Sequence, residues 1–99
     1  MDWNKLSFAE QVGHIGSEIS RARYWEVKGD MESRDKSLER TLGLVDLTLA
    51  NNIGFSSRLK EVARLREMIA DLLAGSRSYS QSLALAEGFC LNFAILARL

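Results

Sequence analysis

The chain contains no proline, and its apolar residues recur at helical intervals between short breaks built on glycine and asparagine. Without proline, no stretch carries the residue that most firmly ends a helix from within. The alternation that marks a half-buried strand persists nowhere. The breaks divide the chain into four helical stretches, expected at residues 7–28, 31–50, 57–74 and 80–98. Breaks this short force consecutive helices to lie side by side and antiparallel. The predicted fold is therefore all-α, an up-down antiparallel four-helix bundle, with an open array of two hairpins as the alternative. At 99 residues it is one domain, residues 1–99.

Local chemistry places the ends. Ser7 and Glu10 form the S-x-x-E capping box ahead of the stripe Phe8, Val12, Ile15, Ile19 and Ala22. Gly29 is a C-terminal stop and Asp30 an N-cap for the second helix, whose inward stripe reads Met31, Leu38, Leu42, Val45 and Leu49. The break at Asn51–Gly54 follows, with Ser56 or Ser57 capping a third stripe of Leu59, Val62, Leu65, Ile69, Leu72 and Leu73. Gly75 to Ser78 form the last turn, and the final helix turns Ala86, Phe89, Cys90, Phe93 and Ala97 inward.

Some apolar residues fall outside these stripes. Leu44 and Leu47 on the second helix and Leu91, Ile95 and Leu99 on the fourth lie on other faces, which leaves the last helix apolar nearly all round. Such a helix needs cover on both sides, so these five residues are the expected interface of a homo-oligomer, a dimer first. Thirteen basic and thirteen acidic residues give a net charge of +0, which leaves little self-repulsion and no bulk attraction to nucleic acid. One cysteine, Cys90, allows neither an intrachain disulfide nor a cysteine-built zinc site, and fits a reducing cytoplasm. The opening MDWNKLSF lacks a secretory pattern, and the apolar run LALAEGFCLNFAILARL is broken by Glu87 and Asn92, so no membrane association is expected.

Four groups carry what chemistry there is. His14, the only histidine, shares a helix flank with Glu18, Arg21 and Trp25, a candidate polar patch for a small anion or a partner side chain; a solvated flank is the commoner meaning. Glu10, His14 and Glu18 form a ladder on one helix, but di-iron bundles need Glu-x-x-His on two helices, so neither a metal nor another cofactor is expected. Arg58, Lys60, Arg64 and Arg77 form a candidate basic surface, the basis of an alternative role in binding RNA. Arg66 lies among apolar positions, with Asp35, Asp46 and Glu87 as candidate counter-charges; Arg66 with Glu87 is the expected buried ion pair. Gly13 and Gly16, on a ridge with Ala9 and Ser20, are read together as a seam for close helix approach. No base–nucleophile motif or phosphate loop occurs, so an enzyme is not expected.

The hairpin RARYWEVKGDMESRDKSLERTLGL resembles one tetratricopeptide unit: Trp25 takes its aromatic position, Gly29-Asp30 its turn, and Leu38, Thr41, Leu42 and Leu44 its second helix. Arg34 replaces the small residue that such a repeat carries at its helix crossing, and no second copy follows. HEPN domains are similar small bundles, some of them ribonucleases with an arginine–histidine motif; His14 has no upstream arginine. In architecture the chain is similar to small, uncharacterised bacterial four-helix proteins and to reverse-transcriptase accessory proteins, which oligomerise and carry basic surfaces. That resemblance implies a non-enzymatic interaction or accessory role.

Overall fold

The computed structural model describes residues 2–52, 54, 56–75, 84–88, 90 and 91, and among them every regular element is helical. A short 3-10 turn, Trp3–Lys5, precedes α1 (Phe8–Val27), α2 (Met31–Asn51) and α3 (Ser56–Leu73). Residues 84–88, 90 and 91 form a fourth helical stretch. The remainder of the expected 80–98 helix lies outside the described residues.

The ends follow from local chemistry. Ser7 Oγ accepts the Glu10 amide at 3.1 Å, and Glu10 Oε1 accepts the Ser7 amide at 2.9 Å, so the capping box is closed. At the other end Gly29 turns left-handed (φ +79°), where its amide reaches Glu26 O at 3.0 Å and the Asp30 amide reaches Trp25 O at 2.9 Å. This is the Schellman pattern, and it satisfies carbonyls that the helix itself cannot. Asp30 then caps α2, taking the Ser33 amide at 3.0 Å and the Ser33 hydroxyl at 2.8 Å, which holds its carboxyl below the ordinary 3.8. The third cap differs from expectation. α3 begins at Ser56 itself, so Ser57 is inside the helix, and the residue before it lies outside the described set.

Pairs of contacts give the directions. Between α1 and α2, Gln11 meets Asn52, Glu18 meets Arg40 and Glu26 meets Arg34, so the two run antiparallel. Between α2 and α3, Asn52 meets Arg58, Asp46 meets Arg66 and Arg34 meets the Leu72 carbonyl, which is again antiparallel. The fourth stretch lies on α1: Ser20 donates to Glu87, Arg23 bonds Glu87 at 2.9 Å, and Cys90 packs at Gly16.

The core joins Phe8, Val12, Ile15, Ile19 and Ala22 of α1 to Leu38 and Val45 of α2, Val62, Leu65, Ile69 and Leu72 of α3, and Ala86 and Cys90. On α1 the expected stripe is buried, and on α3 Val62, Leu65, Ile69 and Leu72 are buried while Leu59 and Leu73 are half-buried. On α2 the stripe is different: Arg34, Ser37, Leu38, Thr41, Val45 and Thr48 are buried, Leu42 and Leu49 are half-buried, and Met31 is exposed. The physical reason is that α2 touches both α1 and α3. Its midline must be narrow for both neighbours to close, and Leu42, Leu44 and Leu49 move to the flanks. Thr41 and Thr48 donate their hydroxyls to Ser37 O at 2.8 Å and Leu44 O at 2.9 Å, so each satisfies its own polar group within the helix.

Candidate functional site

Of the sequence-predicted patch on α1, Glu18 and Arg21 are brought together, and His14 and Trp25 have ring contacts elsewhere. His14 is exposed, and its ring is tilted against Trp3 with centroids 5.8 Å apart. Glu18 is held instead by Arg21 at 2.9 Å and by Arg40 of α2 at 3.3 Å. Trp25 is half-buried, edge-on to Tyr24 at 5.0 Å. Glu18 thus acts as a bridge between α1 and α2.

The buried pair expected between Arg66 and Glu87 is not formed. Arg66 bonds Asp46 at 2.7 Å with both side chains about half exposed, at 45% and 54%. Arg66 sits one position off the buried line Val62–Leu65–Ile69–Leu72, on the flank facing α2, and Glu87 faces α1. The buried arginine is Arg34, at 3% exposure. Its guanidinium donates to Glu26 at 3.3 Å, to Asp35 at 2.9 and 3.1 Å, and to the Leu72 carbonyl at 3.2 Å. One side chain of α2 therefore ties the last turn of α1 to the last turn of α3, where the carbonyl end of a helix favours a cation. Its signal was in the sequence: Arg34, Leu38, Thr41, Val45, Thr48 and Asn52 alternate spacings of four and three. A reading confined to apolar residues passes over that line.

At the opposite end, sequence reasoning missed a second polar cluster. Trp3 Nε1 donates to Thr48 Oγ1 at 3.1 Å, and Gln11 Nε2 donates to the Trp3 carbonyl at 3.0 Å. Asn52 Nδ2 reaches Thr48 O at 2.8 Å and Gln11 Oε1 at 3.5 Å, and its own Oδ1 accepts from Arg58 at 3.3 Å. The Arg58 guanidinium also stacks over the Phe8 ring, 4.7 Å from its centroid. Arg58, expected on a basic surface, is thus part of the packing between α1, α2 and α3. Arg64 pairs with Glu61 at 3.8 Å, Lys60 is exposed, and Arg77 lies outside the described residues.

Of the five expected interface residues, Leu44 is half-buried and packs on the core, because the second contact of α2 covers that flank. Leu47 and Leu91 are exposed, at 48% and 63%, and they are joined by Leu85 at 66%. Ile95 and Leu99 lie outside the described residues. The glycine seam also divides. A Cβ at Gly16 would lie 3.2 Å from Cys90 Cβ, whereas one at Gly13 would meet nothing within 4 Å.

Among the described residues every buried side-chain nitrogen and oxygen has a hydrogen-bond partner, so no buried polar group waits for a ligand. Among the described residues no group of three His, Cys, Asp or Glu is placed to hold a metal, and none of the helices they form is long and apolar enough to cross a membrane. Burial, with the Glu87 carboxylate nearby, pushes the Cys90 thiol up to about 12, which removes the thiolate that cysteine chemistry needs. The chain matches no family model, no curated protein and no solved structure.

Proposed function

We propose that this chain is a non-enzymatic, cytoplasmic interaction or accessory module that closes as an up-down four-helix bundle and self-associates as a dimer. The observation that carries the reading is the two-faced fourth stretch. Its Ala86 and Cys90 are buried, yet Leu85 and Leu91 remain 66% and 63% exposed. Leu47 of α2 adds a third apolar side chain in solvent. The bundle is supported by Glu87 and Cys90, which bring the fourth stretch onto α1 on the side of Ser20, Arg23 and Gly16.

A two-fold dimer uses each leucine that it covers twice. Fully burying one exposed leucine is worth about 1.5–3 kcal/mol before the cost of association. The net charge of +0 sets no barrier. The alternative, a role in binding RNA, would rest on Lys60 and Arg64, which are exposed, since Arg58 bonds Asn52 and stacks on Phe8.

Sedimentation equilibrium tests the reading. The wild-type chain is expected to show reversible dimerisation that Leu47→Glu combined with Leu91→Glu abolishes while helical content is kept. A wild-type chain that remains monomeric up to several hundred micromolar would overturn it.

A further inference from the structure

In the groove between α1 and α2, one acid is shared by two bases. Glu18 Oε1 takes Arg21 Nη1 at 2.9 Å, and Glu18 Oε2 takes Arg40 Nε at 3.3 Å, one base from each helix. The carboxylate lies low, with its side chain 17% exposed, and the two guanidiniums stand above it at 57% and 54%. Arg40 has a second anchor: its Nη2 donates to Ser37 Oγ at 3.1 Å, and Ser37 is fully buried. Among the described residues nothing else bonds either guanidinium. Arg21 therefore keeps Nε and Nη2, and Arg40 keeps Nη1, as donors for a ligand.

The charges do not balance there. Arg23, Arg64 and Arg66 each face one carboxylate, of Glu87, Glu61 and Asp46. Two guanidiniums around Glu18 leave one positive charge in excess where solvent reaches it. A single carboxylate neutralises that excess, whereas a phosphate monoester carries about −1.5 to −2 and overshoots it. A planar carboxylate also matches the guanidinium fork, and Glu18 and Ser37 already hold the donors in place, so little freedom is lost on binding. Lys36 stands one helical turn before Arg40 on α2, and its pair with Glu32 is open to solvent, at 3.4 Å with side chains 64% and 82% exposed. It offers a second base about 5–6 Å along the groove from the first. Trp25, half-buried one turn beyond Arg21, adds an apolar wall.

We propose that this groove is a docking surface for an acidic segment of a partner protein. Carboxylates about one helical turn apart on that segment meet it, one received between Arg21 and Arg40 and the next by Lys36. This partner chemistry rests on the reading of the chain as an interaction module, and not on its self-association.

Titration of the isotope-labelled full-length chain with an oligoglutamate peptide at low salt tests it. Saturable shifts are expected at the Nε–H resonances of Arg21 and Arg40 and at the indole N–H of Trp25. Arg21→Gln and Arg40→Gln are each expected to weaken binding about tenfold, the loss of one charge-assisted contact. Both side chains are more than half exposed, so helical content should hold in circular dichroism. Arg64→Gln removes an arginine of similar exposure that Glu61 already balances, and is expected to leave the affinity unchanged. Acetate, which fills one position only, is expected to bind about tenfold more weakly than oligoglutamate, and inorganic phosphate more weakly too. Absence of shifts at Arg21 and Arg40, or equal weakening by Arg64→Gln and Arg21→Gln, overturns the docking surface. Acetate binding as tightly as oligoglutamate overturns a protein partner; phosphate or single-stranded RNA binding more tightly overturns the preference for carboxylate. Sedimentation of the same chain reports self-association separately. A dimer that ignores oligoglutamate loses only the docking surface, and a monomer that binds it loses only the dimer. A chain that does neither loses the interaction reading itself.

Discussion

Gly13 and Gly16 stand one helical turn apart on α1, and alanine at each should have opposite consequences. In a helix interior alanine is favoured over glycine by about 0.8–1.0 kcal/mol. A Cβ at Gly13 meets nothing within 4 Å, so the whole gain is expected there. For a domain of this size it should raise Tm by about 4–8 °C. At Gly16 the new Cβ would lie 3.2 Å from Cys90 Cβ, inside the roughly 3.5–4.0 Å that two carbons prefer. Cys90 Cβ is bonded directly to the backbone, so it gives way only if the fourth stretch moves with it. Overpacking of this kind costs about 1–3 kcal/mol, which offsets or exceeds the gain. Gly16→Ala should therefore unfold about 1–3 kcal/mol below Gly13→Ala and at or below the wild type. Urea and thermal denaturation followed by far-ultraviolet circular dichroism measure both. If Gly16→Ala stabilises the chain as much as Gly13→Ala, the fourth stretch does not lie against α1 as described.

Arg34→Ala removes the tie between Glu26, Asp35 and Leu72 O, and should cost about 3–5 kcal/mol in urea denaturation because it strands partners of a buried charge. Arg66→Met should cost less than about 1 kcal/mol by the same measurement, since its pair with Asp46 is half exposed and screened. Native Cys90 should resist alkylation at pH 8 and react promptly in denaturant, as a mass-spectrometric time course would show. Because folding raises its pKa to about 12, the neutral thiol contributes stability that is fully present below the unfolded value near 8.5 and lost as pH climbs toward the folded value. Cys90→Ala should accordingly show a smaller fall in stability between pH 8 and 10 than the wild type.

Helix identity and most helix ends were readable from residues close in the chain. The Ser7–Glu10 box, the left-handed Gly29 and the Asp30 cap each close within a few residues, so their chemistry is independent of what packs on them. The inward stripes of α1 and α3 were readable for the same reason: each keeps its apolar residues on one narrow face, and that face is the one buried.

The middle helix was not readable in this way. α2 meets neighbours on two sides, so its buried line is Arg34, Ser37, Leu38, Thr41, Val45 and Thr48, of which hydrophobicity alone finds only Leu38 and Val45. Which arginine is buried depends on which carboxylate and which carbonyl end come within reach. Arg34 finds Glu26 and Leu72 O across two helix boundaries, whereas Arg66 finds Asp46 in solvent. The same holds for Gly13 and Gly16, alike in the sequence and separated only by where Cys90 arrives, and for Trp3, whose partner Thr48 is 45 residues away. Short-range hydrogen bonding and apolar periodicity are properties of the chain. The pairing of charges, small residues and polar seats belongs to surfaces that exist only once the helices have met.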